Sequence, residues 1–144
     1  MDQLQSFFDN DGQLQADSLR YRDRELPDTL ATDQYALNIA LNYAATWNHV
    51  DVMQFLVERG AQVNAQPPGY YWPKDPGASA LHRAANAGRM EAVRWLLAHG
   101  AEPTLREPRW DDLASEWSRY RGFTEVEALL IDAAEKWPKF DADD

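Results

Sequence analysis

The sequence of 144 residues contains no cysteine, which excludes a disulfide framework and thiolate zinc sites. Lysine is scarce, with 3 Lys beside 11 Arg, and 24 acidic residues give a net charge of −10. Without clustered bases, a nucleic-acid backbone is not an expected partner. No apolar run is long enough to cross a membrane, and the segment MDQLQSFFDNDG lacks the features of a secretory signal. These absences predict a cytoplasmic protein without nucleic-acid or membrane partners.

The length and composition of the chain are typical of one folded domain covering residues 1–144. Hydrophobic residues make up 44% of the chain and charged residues 26%, which is ordinary for a folded protein. The acidity favours a basic protein as the partner.

The stretch from residue 79 to residue 104 carries the strongest pattern, SALHRAANAGRMEAVRWLLAHGAEPT. Apolar residues recur at helical spacing on both sides of Gly88, and Gly100 suits a helix C-terminus. The pattern therefore predicts two short helices joined by a tight turn. Such a pair exposes apolar surface on more than one side, so it needs similar pairs stacked beside it.

Three motifs in this stretch resemble the ankyrin repeat. Residues 79–85 (SALHRAA) resemble T-P-L-H-x-A-A, residues 87–91 (AGRME) resemble the turn x-G-H-x-E, and residues 96–102 (LLAHGAE) resemble L-L-x-x-G-A-D. The resemblance implies an all-α solenoid of stacked helix-turn-helix units with finger loops between them.

Weaker copies of the pattern flank this central unit. The resemblance divides the chain into repeat 1 (33–64), an enlarged finger loop (65–78), repeat 2 (79–104), a degenerate repeat 3 or C-terminal cap (105–136) and an acidic tail (137–144). Gly60 and Gly100 lie 40 residues apart, more than the family period of about 33, and the excess falls in the finger rich in proline and glycine. Residues 1–32 are expected to form a helical N-terminal cap, the alternative being an independent binding element.

The signature threonine and histidine of the family form a hydrogen-bond network that holds the fingers. The central unit keeps equivalents of both, Ser79 and His82, whereas the outer units do not. The fingers of the outer units are therefore expected to be held differently.

Sequence motifs for catalysis are not found. Structural roles are expected for the three histidines, since none has metal-ligand spacing with carboxylates. The sequence has no phosphate-binding glycine loop and no nucleophile elbow. The acidic residues 111, 112 and 116 are expected to be solvated charges near a helix start. We expect a protein that is not an enzyme and carries no cofactor or metal.

The resemblance implies that a partner protein binds to the inner helices and the fingers. Aromatic and arginine side chains dominate at the corresponding positions, as they do in interface hot spots. The candidate partner-binding residues are Tyr43, Thr46, Trp47, Tyr70, Tyr71, Trp72, Arg83, Asn86, Arg106, Arg109, Trp110, Trp117, Tyr120 and Arg121. Two placements are open: Trp117 faces either the core or a partner, and residues 70–72 either pin the finger or face a partner.

The predicted function is a non-catalytic protein–protein interaction module that is a monomer on its own. Its sharpest form is an immunity or inhibitor protein that neutralises a basic toxin or enzyme. One alternative is a regulatory or scaffolding subunit of a larger complex. Another is an enzyme or small-molecule binder, which would require a deep polar pocket.

Overall fold

The computed structural model describes residues 33–70, 72 and 74–138. The expected N-terminal cap (1–32) and residues 139–144 of the expected tail lie outside the described residues, as does Tyr71.

The described part of the chain forms three successive helix pairs. The helices are α1 (Asp33–Thr46), α2 (Val50–Glu58), α3 (Ala80–Asn86), α4 (Met90–Ala98), α5 (Ala114–Arg121) and α6 (Thr124–Lys136). Among these residues the only extended pairing is one isolated antiparallel bridge between Arg106 and Leu113. The predicted all-α class and the stacked helix pairs are confirmed.

Small residues let the inner helices α1, α3 and α5 pack side by side. Ala44, Ala84 and Ala85 are fully buried between neighbouring helices, where a larger side chain would hold the helices apart. On the outer helix α4, Val93 and Leu96 of the apolar pattern are buried together with Ala92, and Leu97 is partly buried against the same core. The core is therefore continuous from one pair to the next.

Hydrogen bonds near the turns hold the first two repeats side by side. The Nε of Arg89 donates to the carbonyl oxygen of Thr46 over 2.9 Å. Asn48, in a left-handed conformation at the turn between α1 and α2, accepts from the backbone N–H of Ala92 over 3.0 Å. Each bond joins the first repeat to the second.

The side chain at the position of the signature histidine makes a different set of hydrogen bonds in each repeat. In the central repeat, the imidazole of His82 bonds both Ser79 Oγ (2.7 Å) and the carbonyl oxygen of Asp112 (2.8 Å). In the third repeat, the Glu116 carboxylate caps α5 by accepting from the backbone N–H of Leu113. The expected solvated role of Glu116 is therefore wrong, because this carboxylate is part of the helix cap.

In the first repeat, Asn42 stands at the position of the signature histidine. Its amide donates to the carbonyl oxygen of Asn38, and its oxygen accepts from Arg83 on the next repeat. This contact links the first repeat to Arg83 on α3.

Candidate protein-binding pocket

A cavity of about 470 Å³ lies between the two fingers and the inner helices α3 and α5. Four aromatic side chains and five charged side chains dominate its lining. The lining residues are Trp72, Asp75, Gly77, Arg83, Asn86, Glu107, Arg109, Trp110, Asp112, Trp117 and Tyr120. We call this cavity the aromatic pocket.

Arg83 on α3 forms part of the pocket lining, although only 2% of its surface is exposed. Its guanidinium pairs with the Asp75 carboxylate at 3.4 Å and lies 4.2 Å from the ring centroid of Tyr70. Arg83, a candidate contact for a partner, is therefore almost completely buried rather than exposed. The enlarged first finger folds back over α3, and its carboxylate and ring compensate the buried charge.

Tyr70 pins this finger to α1. Its ring lies 4.7 Å from that of Tyr43, and its hydroxyl shares a 2.8 Å hydrogen bond with the hydroxyl of Thr46. The hydroxyl of Tyr35 makes a second contact with this finger by donating to the carbonyl oxygen of Pro68. Burial raises the pKa of Tyr35 to about 12. Of the two open placements of Tyr70, the structure therefore shows the one in which this residue pins the finger. Tyr43 and Thr46 are half-buried against it.

Glu107 organises the second finger from within. Its side chain is 1% exposed, and its carboxylate accepts from the backbone N–H groups of Arg109 (2.7 Å), Trp110 (2.8 Å) and Asp112 (3.2 Å). A carboxylate that satisfies three amides fixes a tight loop. Glu107 thereby presents Arg109 and Trp110 to the pocket.

The Arg109 guanidinium lies over two tryptophan rings, one on each finger. It is 4.8 Å from the ring centroid of Trp72 and 4.3 Å from that of Trp110. Both distances are within the range of cation–π attraction. A guanidinium therefore already occupies part of the aromatic surface of this pocket.

Trp117 lies between the core and the pocket, so both of its open placements are partly correct. It is half-buried, with its ring edge-on to His82 at 5.1 Å and to Trp110 at 6.3 Å. The contact with His82 connects the pocket to the hydrogen bonds that hold the second finger.

Acidic groups outnumber basic groups in the lining, with Asp75, Glu107 and Asp112 against Arg83 and Arg109. Asp75 is engaged by Arg83 and by the backbone N–H of Gly77. Partial burial and the neighbouring carboxylates of Glu116 and Glu107 raise the pKa of Asp112. Asp112 itself is half-exposed, and its carboxylate lies in a negative environment at the pocket.

Half of the sequence-predicted residues meet in the pocket: Trp72, Arg83, Asn86, Arg109, Trp110, Trp117 and Tyr120. The other described candidates lie outside its lining. Trp47 is 55% exposed at the end of α1, Arg121 is exposed at the end of α5, and Arg106 bonds the carbonyl oxygen of Asp111 within its own finger. Tyr71 is not among the described residues.

Four lining residues were not among the predicted partner-binding residues: Asp75, Gly77, Glu107 and Asp112. In the sequence, Asp75 and Glu107 look like solvated loop charges beside proline, and no spacing distinguishes them. Their burial follows from the way the fingers fold.

Within the described ranges, no group of three or more histidine, aspartate or glutamate side chains is placed to hold a metal ion. None of the helices described combines the length and apolarity required to span a bilayer.

Comparison with known proteins identifies the repeats. A family model described as "Ankyrin repeats (3 copies)" matches residues 25–107, more than half of the chain. A probable E3 ubiquitin-protein ligase of Oryza sativa is 46% identical over 56 residues, covering 39% of this chain and 10% of the relative. The E3 ubiquitin-protein ligase hecd-1 of Caenorhabditis elegans is 31% identical over 99 residues, covering 63% of this chain and 3% of the relative.

The 2-5A-dependent ribonuclease of Homo sapiens is 41% identical over 58 residues, covering 40% of this chain and 7% of the relative. The chain thus spans a tenth or less of the length of these three relatives. The family match covers the first two helix pairs described above, the first finger and the beginning of the second finger. On this evidence the chain belongs to the ankyrin-repeat family.

Proposed function

We propose that this chain binds a partner protein through the surface formed by its inner helices and fingers, without catalysing a reaction. Ankyrin repeats generally mediate protein–protein interaction. The observation that carries the proposal is the exposure of large aromatic side chains on this surface: Trp47 is 55% exposed, Trp110 58% and Tyr120 76%. Such side chains bury much area on binding and are frequent hot spots.

The more specific proposal is an inhibitor or immunity protein that neutralises a basic toxin or enzyme. The net charge of −10 supports it, because opposite charge accelerates encounter with a basic partner. The association rate is then expected to fall as salt is raised, because ions screen charges beyond about 8 Å at physiological ionic strength.

A second candidate is a regulatory or scaffolding subunit, and one observation favours it. The relatives are far longer than their matching segment, so in them a region resembling this chain is a small part of a larger protein. Light scattering on the isolated chain helps to separate the two candidates. A monomer agrees with a free-standing inhibitor, and self-association through the inner-helix surface favours the assembly role.

The binding surface is tested by substituting its exposed aromatics. A partner captured from the source cell is titrated against the triple variant Trp47→Ala, Trp110→Ala and Tyr120→Ala, with an expected loss in affinity of at least about tenfold. Ile131→Ala is the matched control, because Ile131 is a 45% exposed apolar residue on the outer helix α6. Arg83 is left intact, because its buried ion pair would confuse binding with stability.

Equal affinity of the wild-type chain and the triple variant would show that the partner binds elsewhere. A strongly acidic partner, or an association rate insensitive to salt, would contradict the inhibitor proposal while leaving the surface assignment standing.

A further inference from the structure

We infer that the aromatic pocket receives an arginine side chain of the partner protein, and that Arg109 occupies this position in the free chain. The inference rests on the proposed function, since it names the group that the binding surface takes from its partner.

The first step is that the pocket already accommodates a guanidinium. Arg109 lies over the rings of Trp72 and Trp110, at 4.8 and 4.3 Å from their centroids. Arg83 likewise lies over Trp117 at 5.7 Å. Tryptophan faces attract cations through the ring quadrupole, and a planar guanidinium stacks on them better than a strongly hydrated ammonium.

The second step is that Arg109 can be displaced at low cost. Its side chain is exposed, and among the residues that the structure describes its guanidinium has no carboxylate within ion-pair distance. By contrast, the other arginine of the pocket, Arg83, is buried and paired with Asp75. To enter the pocket, an incoming group would therefore have to replace only the cation–π contacts of the solvated Arg109 side chain. It would not have to break an ion pair of Arg109 with a described residue.

The third step is charge. The lining carries three carboxylates against two guanidinium groups, and the whole chain carries −10. Asp75 and Glu107 are buried and engaged within the fingers, whereas Asp112 is half-exposed. Partial burial raises the pKa of Asp112, and the neighbouring carboxylates of Glu116 and Glu107 raise it further, so a cation placed beside it would relieve their repulsion. A carboxylate ligand would meet the opposite effect.

The test uses the whole chain and a small probe, Nα-acetyl-arginine methylamide, with the lysine and glutamate equivalents as matched probes. Binding is followed by the indole N–H signals in nitrogen–proton NMR spectra. Trp72, Trp110 and Trp117 line the pocket, whereas Trp95 packs against the core from the outer helix and serves as the internal reference. The arginine probe is expected to shift the pocket signals more than either other probe.

Two variants make the inference sharper. Arg109→Gln vacates the position and removes a like charge, so the arginine probe is expected to bind at least about threefold more tightly. Arg94→Gln is the matched control, since it changes the net charge equally at an exposed site on α4 outside the pocket. Asp112→Asn is expected to weaken arginine binding, while its main-chain bonds to His82 and Glu107 can persist.

Three results would overturn the inference. One is the absence of pocket shifts with the arginine probe in both the wild-type chain and Arg109→Gln. Another is preferential binding of the glutamate probe that is lost in Arg109→Gln, which would make the pocket an anion site. The third is an equal gain in affinity for the arginine probe in Arg94→Gln and Arg109→Gln, which would show that only the net charge of the chain matters. Each of these leaves the proposed function to its own test, which depends on the captured partner and on Trp47, Trp110 and Tyr120.

Discussion

The Nε2 of His82 lies 2.8 Å from the main-chain carbonyl oxygen of Asp112, 30 residues further along the chain. Because a carbonyl oxygen can only accept, Nε2 carries the proton, and Nδ1 is left to accept from the hydroxyl of Ser79 at 2.7 Å. A neutral imidazole thus joins the start of α3 to the second finger, which forms one side of the aromatic pocket.

This arrangement predicts that stability depends on pH through His82. Burial lowers its pKa to about 4, outweighing the hydrogen bond to Asp112, whereas the ordinary value is 6.5. Between these values the unfolded chain binds more protons, so stability is fully present above pH 6.5 and declines as the pH falls towards 4. The contribution at stake is about 3 kcal/mol.

Urea unfolding between pH 4.5 and 7 measures this contribution. His82→Gln is expected to be less stable at neutral pH and to show a shallower decline on acidification. Identical slopes for the wild-type chain and His82→Gln would contradict the assignment.

Removing one partner of the buried ion pair between Arg83 and Asp75 should destabilise the fold. Asp75→Asn leaves a guanidinium of 2% exposure without its carboxylate, so we expect a loss of about 3 kcal/mol. The double variant Asp75→Asn with Arg83→Met removes both charges, and it should lose less. Thermal unfolding monitored by circular dichroism provides the comparison.

The surface pair Lys136–Asp132 supplies the control, because both of its side chains are largely exposed. Asp132→Asn is expected to change the free energy of unfolding by less than about 0.5 kcal/mol. If Asp75→Asn were equally mild, the ion pair would have no part in holding the first finger.

Glu107 should be essential to the conformation of the second finger. The hydrogen bonds described for its side chain all lie within that finger. Glu107→Ala leaves three backbone N–H groups without their acceptor, and we expect a loss of about 2 kcal/mol. The indole signal of Trp110 should shift as the loop relaxes.

The matched control for Glu107 is Glu102→Ala at the start of the same finger, where, within the described part of the chain, the carboxylate accepts only from the hydroxyl of Thr104. This variant is expected to remain near wild-type stability. An unchanged Trp110 signal in Glu107→Ala would show that the loop is held by other contacts.

Gly88 is required at the central turn for two reasons. Its φ is +70°, and a Cβ placed there would lie 2.8 Å from the ring of Phe123. Gly100 shares only the first reason, since its φ is +92° and no atom of the residues that the structure describes lies close to the corresponding position, within 4 Å. Gly88→Ala should therefore cost at least about 1 kcal/mol more than Gly100→Ala, with chemical denaturation as the measurement. Equal losses would show that Phe123 moves aside freely.

The helices and their stacking were accessible from the sequence because they depend on local spacing. Apolar residues at helical intervals identify α4, and alanines at 84 and 85 allow a neighbouring helix to approach. The motifs around His82 resembled one family, and that family is confirmed.

The orientation of the candidate side chains was less accessible. Tyr120 and Arg83 occupy inner helices of adjacent repeats, yet one is 76% exposed and the other 2%. The difference arises because the first finger covers Arg83, bringing Asp75 and Tyr70 to it from 8 and 13 residues earlier in the chain. No periodicity encodes that path, since it depends on contacts between loops.

The sequence by itself thus determined a stack of helix pairs, because helix formation and small-residue packing follow from spacing within about one repeat. Only the tertiary structure decided which charged and aromatic side chains line the pocket, because burial of Glu107 and Arg83 depends on where two fingers close over the inner helices. A buried charge needs an ion-pair or hydrogen-bond partner, and the partners of Arg83 and Glu107 lie on separate loops.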